Sequence, residues 1–100
     1  MSDRQAAVPT VQIDNERLRV TEWRFAPGAA TGHHRHEYDY CVVPMTSGPL
    51  TIESAAGVHQ AELVTGQPYF RQLGVEHDVV NTNPFEFVFI EIEVKDPPPG

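Results

Sequence analysis

The sequence predicts an all-β protein, and three observations lead to that class. Gly and Pro recur at short intervals, the segments between them are rich in Val, Ile, Phe, Tyr and Thr, and no stretch carries the 3.6-residue apolar period of an amphipathic helix. The first segment with strand character is Val11–Ile13, closed by Asp14-Asn15. Arg17–Phe25 follows and ends at Pro27-Gly28. Next come His33–Glu37 and Tyr40–Val43, after which Ser47-Gly48-Pro49 turns the chain into Leu50–Ser54. Ala56-Gly57 leads to His59–Val64, and Gly66-Gln67-Pro68 leads to Tyr69–Leu73. His77–Val80 and Phe85–Val94 close the series, joined through Asn81 to Pro84. The joints are turn formers because Gly admits positive φ, Pro presets φ, and Asn, Asp and Ser bond to their own backbone. Strands spaced this regularly suggest a sandwich or a barrel.

Phe85–Val94 alternates Phe85, Phe87 and Phe89 with Val88, Ile90, Ile92 and Val94. Both faces are too apolar for a strand wetted on one side, so one face is expected to meet a partner subunit. Residues 1–7 and the tail Asp96-Pro97-Pro98-Pro99-Gly100 have neither pattern nor bulk; they are expected to be disordered on either side of a domain spanning 8–95.

One hundred residues suffice for one domain with a modest core. Seven basic residues against fourteen acidic ones leave a formal charge of −7, which repels phosphate backbones and anionic membrane surfaces. Nucleic acid and membrane are therefore not expected as partners. No apolar run approaches the roughly twenty residues that span a bilayer, and MSDRQAAVPT lacks the apolar stretch of a secretory signal. The expected location is the cytoplasm. Cys41 is the only cysteine, so no disulfide forms within the chain, in keeping with a reducing compartment.

The chemistry concentrates between Gly28 and His36. His34 and His36, one residue apart, project from the same face of a strand, a spacing suited to chelation. His77 lies far off in sequence at the start of a later strand, within reach only in a fold that closes on itself. Three neutral imidazoles bind Fe, Zn, Ni, Mn or Cu and leave positions open for water, substrate or dioxygen. The spacing equally admits a polar surface loop at HHRH and a core histidine at position 77.

The segment resembles the first cupin motif, G(X)5HXH(X)3,4E(X)6G, through Gly28, His34, His36 and Gly48. The stretch from Gly66 to Asn81 resembles the second, G(X)5PXG(X)2H(X)3N, through Gly66, Gly74, His77 and Asn81, with Gln72 in place of the Pro. The phrases WRFAPG, HRHEYDY and YFR-LGVEH are closer still to small cupins of the beta-alanine degradation protein BauB type. The resemblance implies a cupin double-stranded β-helix, a jelly-roll-like barrel. It also implies metal ligands at His34, His36 and His77, a pocket at the barrel mouth, and a homodimer formed through outer strands.

The sequence departs from the motif at its glutamate, where the two permitted spacings fall on Tyr40 and Cys41. A site of three histidines keeps the full charge of a divalent ion, and it resembles the three-histidine thiol dioxygenases. Tyr40 either enters the site, as a fourth ligand or pocket phenol, or packs as core. Cys41 is the weaker alternative because strand alternation turns only one of the two neighbours inward. Glu37 and Asp39 are fallback ligands or solvated surface charges. On the strand before His77, Tyr69 and Arg71 share one face while Phe70 and Gln72 share the other. One of the two pairs is expected to line the pocket and position a small carboxylated metabolite, through Arg71 beside Tyr69, the guanidinium by bidentate bonding, or through Gln72 on the other face; an exposed arginine is the plain alternative. His33 and His59 are read as non-ligands, and Trp23 and Phe25 as core.

Two classes of function follow. One is a metal-dependent enzyme of dioxygenase or Lewis-acid type acting on a small carboxylated metabolite, with no general base evident beyond the ligands. The other is a non-catalytic module that binds a metabolite or the metal itself.

Overall fold

The computed structural model describes residues 4–95. Nine strands run in chain order: β1 Val8–Asp14, β2 Leu18–Phe25, β3 His34–Arg35, β4 Asp39–Pro44, β5 Gly48–Ser54, β6 Gly57–Leu63, β7 Tyr69–Arg71, β8 Glu76–Val80 and β9 Phe87–Val94. All pair antiparallel, in a five-stranded sheet of order β1-β2-β9-β4-β7 and a four-stranded sheet of order β3-β8-β5-β6. The two sheets enclose the core between them, and no helix among the described residues is long and apolar enough to cross a membrane.

Each expected segment holds a strand, and the differences in extent have local causes. β1 reaches back to Val8 because Pro9 is tolerated on an edge strand. β3 shrinks to two residues because the backbone beyond it bonds to a turn: His36 N–H donates to Val75 O at 2.9 Å, and Gly74 N–H donates to His36 O at 2.8 Å. β9 begins at Phe87, not Phe85, since the Asn81 side-chain amide takes the Phe85 carbonyl at 2.8 Å and extends the turn. Within the segment 1–7, Ala7 is buried and donates its N–H to Ala30 O at 2.9 Å, while the Arg4 guanidinium bonds Glu53 at 2.7 and 2.9 Å. The tail 96–100 lies outside the described residues.

Directly opposed residues in antiparallel strands point to the same side, so the register sorts the inner face of the large sheet into layers. Phe25 faces Phe87 at one end, and both are fully buried. Trp23, Phe89 and Pro44 form the next layer, followed by Thr21, Glu91, Val42 and Tyr69. Arg19, Glu93, Tyr40 and Arg71 form the last. The barrel therefore grades from a dry aromatic end to a charged mouth. Burying Phe25 and Phe87 stabilises the dry end by about 1.5–3 kcal/mol each.

Asn81 locks that end to the loop that leads to the histidines. Its amide nitrogen donates to the carbonyls of Phe25, Ala26 and Phe85, and its oxygen accepts from the backbone and side chain of Asn83. Its backbone bonds Gly28 and Ala29. Buried polar atoms this fully paired fix one geometry, because any alternative leaves several orphaned.

Candidate metal centre

His34 and His77 are directly opposed on β3 and β8, which turns both imidazoles to the same side. His36 follows two residues on and is held against the 74–75 turn by the two backbone bonds described above. That turn and the one before β3 need Gly74 and Gly32, both at positive φ, 94° and 84°. Gly32 also receives the Nδ1–H of His34 on its carbonyl at 2.8 Å, which leaves the His34 Nε2 lone pair free to face inward.

The three rings converge through the same atom. Nε2 of His36 lies 3.0 Å from Nε2 of His34 and 3.0 Å from Nε2 of His77, and donor atoms of all three fall within 4.8 Å of one another. Imidazole nitrogens bound to one ion at about 2.0–2.1 Å, with angles near 90–110°, sit roughly 2.9–3.4 Å apart, a range that both separations from His36 meet, so the cluster is compatible with a divalent transition metal. Lone pairs aimed at one another repel unless a cation lies between them. Burial, followed by the charges of His34 and His77, pushes His36 down to about 3. Burial, with His34 the first of its charged neighbours, pushes His77 down to about 4. Both rings therefore stay neutral and able to ligate at neutral pH.

Tyr40 is buried and lines the cavity beside the triad. Its ring stacks on His36 with centroids 3.8 Å apart and planes 16° from parallel, and burial raises the phenol above its ordinary range. Cys41 sits opposite Ile92 and Phe70 on the outer side of the sheet. Glu37 is exposed at the rim of the cavity, and Asp39 accepts the Leu73 N–H at 2.9 Å.

The triad opens into a cavity of about 370 Å³ with apolar walls from Val42, Leu50 and Phe89 and charged residues Arg19, Arg35, Glu37 and Glu93. A second cavity of about 240 Å³ adjoins it, and Tyr40, Ile52, Tyr69 and His77 line both. Tyr69 is thus at the site, with its phenol raised by burial. Arg71 lines only the second cavity, its guanidinium 4.6 Å from the Tyr69 ring centroid and bonded to Phe70 O at 2.9 Å. Gln72, past the end of β7, is exposed and lines neither cavity. His33 is exposed, whereas His59 lines the second cavity outside the triad. Phe25 is core; Trp23 is half-buried and also lines the main cavity.

The sequence reading missed Glu91. It is buried on the inner face of β9 and lines the main cavity, with Oε2 3.9 Å from Nδ1 of His36. Because His36 is neutral, this is a polar contact and not an ion pair. Burial, then the charge of Glu93, pushes the carboxyl up to about 7 against the opposing effects of Trp23 and Arg19. The Trp23 indole N–H, though close enough to act on that carboxyl, completes no hydrogen bond. The signal for Glu91 was present in the alternation: it falls in phase with Phe87 and Phe89, the core-facing set.

Two sheets closed over a cluster of motif histidines define a small cupin. No family model matches the chain, but individual proteins do. It is 59% identical over 95 residues to the beta-alanine degradation protein BauB of Pseudomonas aeruginosa, covering 95% of this chain and 100% of that one. The chain belongs to the BauB family of small cupins. A cupin domain from Bordetella pertussis Tohama I superimposes with a TM-score of 0.94 at 56% identity, covering 96% of this chain and 100% of that chain. The polyketide cyclase RemF of Streptomyces resistomycificus shares the fold alone, with a TM-score of 0.71 at 20% identity over 98% of this chain and 73% of its own.

Proposed function

We propose that the chain is a cytoplasmic metal-dependent enzyme that acts on a small carboxylated metabolite at His34, His36 and His77. The observation that carries this reading is the convergence of three Nε2 atoms at 3.0 Å steps on a cavity of about 370 Å³. A bound divalent metal would supply Lewis acidity or, as Fe(II), dioxygen activation. The chain's own part is to bind and orient. His34, His36 and His77 would hold the ion, and the apolar wall of Val42, Leu50 and Phe89 limits water around the reacting group. Arg71, stacked on Tyr69 beside His77, offers its guanidinium to a substrate carboxylate from the second cavity. The name of the Pseudomonas relative, a beta-alanine degradation protein, agrees with a small amino or carboxylic acid as substrate.

The same reading includes a homodimer. Ile13, Val20, Ile92, Cys41 and Phe70 are opposed in turn across all five strands and form an apolar stripe on the outer side of the large sheet. Ile13 and Phe70 are each about half exposed, at 49% and 50%. Exposed apolar surface of this kind favours a partner over water.

Elemental analysis of untagged protein, beside His34→Ala, His36→Ala and His77→Ala, tests the centre. Near-stoichiometric metal in the parent and its loss in each variant is expected, with His33→Ala and His59→Ala unchanged; equal loss from His59→Ala sinks the ligand assignment. Oxygen uptake with candidate acids and Fe(II), or turnover without oxygen, then separates an enzyme from a binding module, which would show only a ligand-dependent rise in melting temperature. Arg71→Ala should weaken binding of an acid about 10- to 100-fold and leave its amide unaffected, as a charge-assisted bond of roughly 1.5–3 kcal/mol requires. An unchanged preference removes Arg71 from recognition.

A further inference from the structure

The family motif places a carboxylate ligand where this chain has Tyr40 or Cys41, and the chain carries a buried carboxylate elsewhere, in the same cavity as the triad, on β9. Three features of the site bear on how His36 is held. First, its Nε2 is the atom that meets the other two histidines, so Nδ1 is the nitrogen turned away from the proposed ion. Second, Tyr40 covers one face of the ring in a near-parallel stack, which fixes the plane in which Nδ1 can point. Third, Oε2 of Glu91 lies 3.9 Å from Nδ1, and the residues directly opposed to Glu91, Thr21 and Val42, bring no cation to it.

Resting on the metal-binding reading above, we propose that Glu91 and Tyr40 are the positioning residues of the centre. Tyr40 sets the plane of the His36 ring, and Glu91 takes its Nδ1–H, so that the Nε2 lone pair is presented to the metal. The separation exceeds hydrogen-bonding distance by somewhat under 1 Å, a gap that rotation of the Glu91 side chain within the adjoining cavity can close. His34 already shows the matching device, with its Nδ1–H on the Gly32 carbonyl. The acid lost as a direct ligand thus acts one bond further out, where it raises the basicity of an imidazole without neutralising the ion. An ion held by His34, His36 and His77 would keep a higher effective charge than in a site with a bound glutamate, which would favour an anionic substrate.

The test uses the full chain at pH 8. Long-range nitrogen–proton NMR of the chelator-treated parent reads the His36 tautomer directly, and the Nδ1–H form is expected; an Nε2–H form overturns the proposal without any variant. Cobalt(II) titration followed by its visible absorption then compares Glu91→Leu, Glu91→Gln, Tyr40→Leu and Tyr40→Phe. Glu91→Leu should weaken cobalt binding about 10- to 100-fold and erase the tautomer preference. Glu91→Gln, which keeps an acceptor oxygen, should rescue most of both. Tyr40→Phe keeps the stack and should match the parent, while Tyr40→Leu should not. Parental affinity and tautomer in a folded Glu91→Leu variant overturn the role of Glu91. Failure of the parent to bind cobalt removes the metal reading, and the tautomer still decides the Glu91–His36 pairing by itself.

Discussion

The two ends of the barrel are built from the same strands and have opposite chemistry. At the dry end, Phe25 and Phe87 meet with no exposed surface, and Asn81 ties three carbonyls together. At the mouth, the same β2 and β9 present Arg19, Glu91 and Glu93, and the short β3 and the residue after it deliver two histidines. The difference teaches that stability and chemistry are separable along one strand: moving four positions on β9, from Phe87 to Glu91, passes from packing to the site. Substitutions at one end should therefore leave the other nearly untouched, since sites with no shared partners behave additively.

Breaking the dry end gives the largest expected effect. Phe87→Ala should lower unfolding free energy by about 3–5 kcal/mol in urea melts, with the metal content of the protein that remains folded unchanged. A parallel loss of metal would show that the two ends are coupled. Asn81→Leu is expected to cost roughly 2–3 kcal/mol, as carbonyls of Phe25, Ala26 and Phe85 lose their donor. Because Asn81 also steadies the Gly28 loop, this variant should be the one dry-end change that loosens metal binding, by a few fold.

Acidification sharpens the comparison from the other side and has the smallest effect near neutrality. In metal-free protein, His36 and His77 hold their protons only near pH 3 and 4, whereas the unfolded chain takes them up near 6.5, so their contribution is complete above 6.5 and fades as the pH falls toward 3. Glu91 works against this: raised from 4.5 to about 7, it favours the folded state as the pH falls from 7 to 4.5. With two groups against one, melting temperature should decline gently from pH 6.5 to 4.5 and more steeply below. Thermal melts of chelator-treated protein check the shape, and in Glu91→Gln the decline should begin to steepen already at pH 6.5.

Much of this was legible in the chain. His34 and His36 share a face by spacing alone, and the two motifs bring in His77, since a closed barrel is what joins distant strands. The strand series was legible because turn residues mark nearly every joint. Glu91 was only half legible: the alternation puts it in phase with Phe87 and Phe89, but an acid in a strand reads as a solvent contact until the register shows that this face is the inner one. Nor could the sequence say which face of the strand before His77 meets which cavity: Tyr69 and Arg71 share a side, but the wall at Tyr69 divides the space and leaves Arg71 in the smaller part. The outer stripe was half legible, since Val88, Ile90 and Ile92 announced an apolar face but not its continuation through Ile13 and Phe70.

β3 is two residues long, lies at the edge of its sheet and pairs only with β8. A strand that short has little grip of its own, and local opening of such edges costs far less than global unfolding. An ion shared by His34 and His36 with His77 would act as a clasp between this edge and the body of the sheet. Occupancy of the centre and closure of the barrel's lip then become one equilibrium, so that amide exchange at His36 and Gly74 should slow in step with metal loading.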